Sequence, residues 1–154
     1  MKPRYLYLIA LVVVILDQAT KLAVTMRLPL GSSVPVIGDL VYFTSVRNPG
    51  GAFGSFQSAT GLLALITAAT VIGIGVLVKR SPRLPMPMGI ALALLLGGAL
   101  GNLIDRLRFH HVIDFIDLRF WPVFNLADSA ITVAIVFLGY HMLFSERRSA
   151  AAEK

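Results

Sequence analysis

Two aspartates far apart in the chain, Asp114 in VIDFID and Asp128 in FNLADS, stand among apolar neighbours. A carboxylate at membrane depth costs about 2.5 kcal/mol or more unless it is protonated, paired or hydrated, so such residues need a reason. If Asp114 folds against Asp128, the two carboxyl groups compete for ionisation in a partly dry site. Desolvation and like charge then keep one proton on the pair near neutral pH, and the titration belongs to the pair rather than to either residue. Such a pair has the electrical arrangement of an aspartic protease. The ionised carboxylate takes a proton from a water attacking a peptide carbonyl, and the protonated one donates to the developing oxyanion before helping the amine leave.

The elements that must bring these acids together are membrane spans. The chain of 154 residues is 56% hydrophobic and only 14% charged, against about 25% charged in a typical soluble domain, and its mean hydropathy is +0.79. Four runs, over about 5–24, 61–78, 88–104 and 123–144, are long and apolar enough to cross a bilayer. The chain therefore reads as one membrane-embedded domain over 1–154, with a polar tail over 145–154. The fold class is an all-α polytopic membrane protein: four transmembrane helices, with a small extracytoplasmic β-sheet between helices 1 and 2. That sheet is expected from VPVIGDLVYFTSV, two β-rich runs about a hairpin turn at Gly38-Asp39. RNPGGAFGSF follows, its glycines around Phe53 suiting a backbone shaped against a ligand or another segment, or a plain surface turn.

Several classes are excluded or disfavoured. With no cysteine there is no disulfide, thiol nucleophile or thiolate metal site. The net charge of +6 lies beside apolar runs instead of lining one aromatic-studded face, so no nucleic-acid partner is expected. His110 and His111 are adjacent and His141 is isolated, so no metal is expected from them. The basic N-terminus resembles a secretory signal, but Asp17 and Lys21 follow it and no small-x-small cleavage site ends it, so the first span is read as retained.

Lys2, Arg4, Lys79, Arg80, Arg83, Arg147, Arg148 and Lys154 fall on one side of four alternating helices, the side the positive-inside rule makes cytoplasmic. Both termini are then cytoplasmic. Asp17 lies about 12 residues beyond Tyr5, roughly 18 Å along the axis, and Asp128 about five residues into the fourth span, roughly 7 Å. Both are in the outer half, where Asn48, Asn102, Asp105 and Asp114 can also reach. If VIDFID is extended, Val112, Asp114 and Ile116 share one face and Asp117 takes the other, so only one of these two acids faces inward.

Plainer readings exist for several of these residues. Asp17 and Lys21 at i and i+4 suit an intrahelical ion pair that eases insertion, with Lys21 snorkelling outward. Asp105 and Arg106 suit interfacial charges ending a helix, and Gly97 with Gly101 gives the small-xxx-small spacing of a close helix contact. A rival function, a small proton-coupled transporter, also uses intramembrane acids. It needs polar groups reaching both faces, whereas the second span has no charge and the inner halves hold little besides His141. A metal-dependent phospholipid synthase would need several clustered aspartates for magnesium, and the sequence has no such cluster.

DQATK at 17–21, NPGGAFG at 48–54, GGALGNLIDR at 97–106, VIDF at 112–115 and FNLADS at 124–129 follow in order. Together they resemble the motif series of bacterial lipoprotein signal peptidase, or signal peptidase II, across nearly the whole chain. The resemblance implies an intramembrane aspartic endopeptidase of the bacterial cytoplasmic (inner) membrane. Such an enzyme removes the signal peptide from prolipoproteins immediately before the diacylglyceryl-modified cysteine, near the outer face and with no cofactor. Its implied partners are the lipid bilayer and lipid-modified prolipoprotein substrates, and a monomer is expected. The resemblance gives catalytic roles to Asp114 and Asp128, and substrate-binding or site-supporting roles to Asp17, Lys21, Asn48, Gly54, Asn102, Asp105, Arg106 and Asn125. Pro49 and Gly51 stand where the pattern has a polar residue and an alanine, a departure that bears on loop shape and substrate preference more than on chemistry.

Overall fold

The structure, a computed structural model, describes residues 1–50, 60–81 and 83–152, with side chains through His141. Gly51, Gly54 and the rest of the glycine-rich motif beyond Gly50 lie outside the described residues. The elements run α1 (Pro3–Arg27), β1 (Ser33–Ile37), β2 (Val41–Asn48), α2 (Thr60–Arg80), α3 (Met86–Phe109), β3 (Val112–Asp117) and α4 (Leu126–Ala152). Hydropathies of 1.9, 2.5 and 1.8 make α1, α2 and α3 long and apolar enough to cross a membrane; in α4 the apolar stretch Leu126–His141 is shorter. Leu8, Leu11, Ile15 and Leu22 of α1 and Leu62, Leu65 and Ile72 of α2 are exposed on the bundle surface. Water would penalise that surface, and a lipid solvent accepts it.

The centre of the bundle is α3, which packs against α1, α2 and α4. Its small residues make this possible. A Cβ on Gly97 would stand 2.7 Å from the Ala10 carbonyl oxygen of α1, and one on Gly98 would stand 2.5 Å from the Ala127 carbonyl oxygen of α4. Only glycine lets both neighbours come this close. The contact expected from Gly97 and Gly101 is therefore two-sided, with Gly98 serving the second helix. At the end of the bundle away from the sheet, Leu6, Ala10, Ile74, Val78, Leu92 and Leu96 form a buried apolar cluster.

The sheet has order β1-β2-β3, antiparallel throughout. Its first turn is the expected one: Gly38 has φ +47, and the Leu40 N–H donates to the Ile37 carbonyl at 3.0 Å. The sheet is not confined to the segment between the first two helices, because β3, which follows α3, supplies the third strand along β2. Pairing Val46 with Asp114 and Asn48 with Val112 gives β3 the ladder that an isolated extended segment lacks. The fourth helix also starts later than the apolar run suggests. The Phe124 N–H donates to the Ile116 carbonyl at 3.0 Å and its carbonyl accepts from Ile116 at 2.7 Å, so the chain is still strand-like there and α4 begins at Leu126.

Candidate active site

The site is built from the start of α4. The Asn125 side-chain oxygen accepts the Asp128 N–H at 2.9 Å, and Asp128 Oδ2 accepts the Asn125 N–H at 3.3 Å. This is a reciprocal capping box with Asn at the N-cap and Asp at the third helical position. It places the carboxylate at the positive end of the helix dipole. The Ala127 N–H, another donor left open by the helix start, goes to Asp17 Oδ1 of α1 at 2.9 Å.

Three amide side chains then tie the acids together. Asn125 Nδ2 donates to Asp114 Oδ1 at 2.6 Å and Asn48 Nδ2 donates to Asp114 Oδ2 at 2.9 Å. Asn102 Nδ2 donates to Asp128 Oδ1 at 2.7 Å. The orientation of the Asn102 amide is fixed from behind, since its oxygen accepts from Lys21 Nζ at 3.0 Å and from Asn125 Nδ2 at 3.1 Å. Asp114 and Asp128 both line a cavity of about 390 Å³, with Asn48, Asn102, Arg106 and Ser129 around them and Phe120 and Trp121 at its rim.

Asp114 and Asp117 show what surroundings do to one residue type on one strand. Both are buried, on opposite faces of β3 as the alternation requires, so burial is not reserved for one of them. Burial, and after it the charge on Asp128, push the Asp114 carboxyl up to about 7, against the Asn48 and Asn125 hydrogen bonds and the Lys21 charge. Asp117 is held below the usual carboxylate range, first by the Thr44 hydroxyl donating at 2.7 Å and also by the Arg119 N–H at 2.8 Å.

Behind the amides lies a second group. Lys21 Nζ sits 2.9 Å from Asp17 Oδ2 and 2.8 Å from Asp105 Oδ2, with all three residues at most 2% exposed. Lys21 therefore does not snorkel, and Asp105 is not an interfacial charge. A second carboxylate from α3 holds the lysine inside, which no pattern within α1 could reveal. Gln18 Nε2 donates to Asp105 Oδ1 at 2.9 Å and to the Gly101 carbonyl at 3.2 Å, and the Ile113 N–H reaches Asp105 Oδ2 at 3.1 Å. The group thereby locks β3 and the head of α4 to α1 and α3.

Asp17, Lys21, Asn48, Asn102, Asp105, Arg106, Asp114, Asn125 and Asp128 thus gather at one end of the bundle; Gly54 lies outside the described residues. Gln18, inside DQATK, joins the site as well: its amide donates to Asp17 Oδ2 at 3.2 Å and to Asp105 Oδ1, a contact with another helix that the motif alone does not signal. Ser129 and Thr132, which line the cavity one turn apart on α4, gave no signal beyond their polarity. A second cleft of about 320 Å³ lies among Ile66, Thr67 and Thr70 of α2, Ala99 of α3 and Ile131 and Ile135 of α4. It shares Asn102, Arg106 and Asp128 with the first.

A family model described as signal peptidase (SPase) II matches residues 9–144. A lipoprotein signal peptidase of Pelotomaculum thermopropionicum is 42% identical over 151 residues, 97% of this chain and 99% of the relative. One of Bacillus velezensis is 44% identical over 142 residues, 90% and 93% of the two chains. A solved structure described as a bacterial membrane enzyme, determined by the in meso method at 2.3 Å resolution, superposes with a TM-score of 0.85 at 34% identity, covering 90% of this chain and 87% of that one. Sequence, motif order and shape agree over nearly the full length: the chain belongs to the signal peptidase II family.

Proposed function

We propose that the chain is an aspartic endopeptidase that cleaves prolipoproteins immediately before the diacylglyceryl-modified cysteine, with Asp114 and Asp128 as its catalytic residues. The observation that carries this reading is that two carboxyl groups from separate elements line one cavity, both hydrogen-bonded to Asn125, and neither forms an ion pair among the described residues. Burial raises the Asp114 carboxyl to about 7, so the pair shares one proton near neutral pH, and Asp114 serves as the donor in this reading. Asp128 takes a proton from water, whose oxygen attacks the scissile carbonyl carbon, while Asp114 donates its proton to the carbonyl oxygen. The tetrahedral intermediate then collapses: the proton on Asp128 passes to the amide nitrogen, a hydroxyl proton returns to Asp114, and the C–N bond breaks.

The cleft between α2 and α4 suits the signal helix, because Ile66, Leu95, Ala99, Ile131 and Ile135 give it apolar walls and its polar end holds Asn102, Arg106 and Asp128. Burial of the substrate's helix and lipid chains there contributes at about 25 cal/mol per Å² of apolar surface. In this reading α4 is the fourth span, the domain is single, and the protein is a monomer in the cytoplasmic membrane. Both termini are cytoplasmic, and the sheet and acids lie at the outer face. Asn48, Asn102, Asn125 and Arg106 shape the site, while Asp17, Lys21 and Asp105 support it. No cofactor enters the chemistry.

The test is cleavage by the purified protein of a diacylglyceryl-modified precursor and of the same precursor without lipid, with the product termini read by mass spectrometry. Release of a fragment beginning at the modified cysteine, only from the lipidated precursor and undiminished by a chelator, is expected. Cleavage elsewhere, equal cleavage of both precursors, or a chelator-induced loss restored by magnesium or zinc would contradict the proposal.

A further inference from the structure

Strand alternation gives the sheet two working faces. Asn48, Val112 and Asp114 line the acid cavity, whereas Arg47 and Ile113, paired across the same ladder, turn away from it. On that far side lies a separate cavity of about 360 Å³, bounded by the last turn of α1, the chain leading to β1, the sheet and the end of α3. Leu28, Leu30, Val46, Phe109 and Ile113 line it together with Thr25 and Ser45, and the ionisable side chains that line it, Arg47 and His111, are basic.

Among the described residues Arg47 is exposed and has no hydrogen-bond or ion-pair partner. The Phe109 ring lies 5.9 Å from the His111 ring, and the Arg108 guanidinium stands 5.0 Å from the Phe109 centroid. Arg47 and His111 therefore line the hollow, with Arg108 beside its Phe109 ring, and no carboxylate stands among the described lining residues. The hollow sits where two apolar helices end, and Met26, Leu30, Leu107 and Phe109 are exposed around it. Apolar surface mixed with unpaired arginine marks the headgroup level of a bilayer.

We propose that this cavity binds an anionic phospholipid, with the headgroup phosphodiester at Arg47 and His111 and the first chain carbons over Leu30 and Phe109. A guanidinium fork matches two phosphate oxygens. A zwitterionic headgroup would bring an ammonium group beside Arg47 and His111, with no acid among the described lining residues to receive it. Free phosphate would leave the apolar lining unused. The bound lipid bridges the end of α1, β2 and the end of α3, on the reverse of the strand pair that carries Asn48 and Asp114. The site does not depend on the chemistry of those residues.

The test uses the full chain, with bound lipid counted by native mass spectrometry after titration with phosphatidylglycerol, phosphatidylcholine or inorganic phosphate. The unmodified protein is expected to bind phosphatidylglycerol in preference to phosphatidylcholine, with inorganic phosphate failing to displace it. Arg47→Gln should weaken phosphatidylglycerol binding about fivefold and Arg47→Gln/His111→Gln further, since each basic group near an anionic lipid contributes on this scale. Arg80→Gln, at the other end of the bundle, should change nothing. Equal binding of the two lipids, displacement by phosphate, an unaltered Arg47→Gln, or an equal loss in Arg80→Gln would each overturn the proposal. The comparison of lipids on the unmodified protein needs no variant to fold.

Discussion

Two groups of carboxylates share one end of the helix bundle and differ in what meets them. Asp17 and Asp105 close on a lysine, are at most 1% exposed, and line none of the cavities described. Asp114 and Asp128 are met by neutral amides and face open space. A cation within 3 Å fixes charge and geometry together, which makes the first group a clasp between α1 and α3. Amide donors orient a carboxyl group without neutralising it, so the second group keeps its proton chemistry available. The same residue type is clamped by a cation in one place and left facing a cavity in the other, and the partner decides which.

The largest effects should separate the two groups by what fails. Asp114→Asn and Asp128→Asn should each lower cleavage about 10²- to 10⁴-fold, the scale of general acid–base assistance, while the thermal midpoint in detergent does not fall. Lys21→Met should do the reverse. It strands two buried carboxylates, which costs about 3–5 kcal/mol, so the midpoint should drop and activity be lost with the fold. An Asp114→Asn protein that unfolds, or a Lys21→Met protein that keeps its midpoint, would erase the distinction.

Between those extremes lies Gly98→Ala. Its methyl group would meet the Ala127 carbonyl at 2.5 Å, which is backbone and can yield only by moving the head of α4. Overpacking of this kind costs about 1–3 kcal/mol, and kcat should fall because Asp128 and Asn125 move with that helix start. Gly139→Ala, on α4 and with nothing within 4 Å, should leave both stability and kcat unchanged; a matching loss there would mean that glycine itself, not the close approach, matters.

The smallest effect is a shift in pH dependence. In the proposed mechanism Asp114 must hold a proton to donate, and burial pushes its carboxyl up to about 7, so activity should decline as pH rises through that value. The Asn48 hydrogen bond favours the charged form; Asn48→Ala removes it, raises the Asp114 value and should carry the alkaline limb to higher pH. A limb that stays in place or moves down in a pH–rate profile would show that Asp114 is not the proton donor.

Much of this arrangement was legible in the sequence. Runs of apolar residues gave the first three spans to within a few residues, and depth counting brought Asn48, Asn102, Asp114 and Asp128 to one layer. What escaped was non-local. VIDFID suggested its own alternation but not the strand it pairs with, since β2 lies more than sixty positions away. The apolar run extends the fourth span back over Val123 and Phe124, which are as apolar as a helix interior, and only the bridge to Ile116 shows Phe124 to be strand-like. Asn125 and Asp128, three apart at that boundary, are in hindsight a readable cap. Lys21 was given a free choice between water and the interior because Asp105, which decides the matter, stands on another helix.

The most direct test of the acid pair is single-turnover cleavage of a diacylglyceryl-modified precursor under excess enzyme, comparing the unmodified protein with Asp114→Asn and Asp128→Asn. With product release removed from the rate, both variants should bind the precursor and leave it uncut on the timescale of many wild-type turnovers. Processing at the wild-type rate by either folded variant would contradict the account.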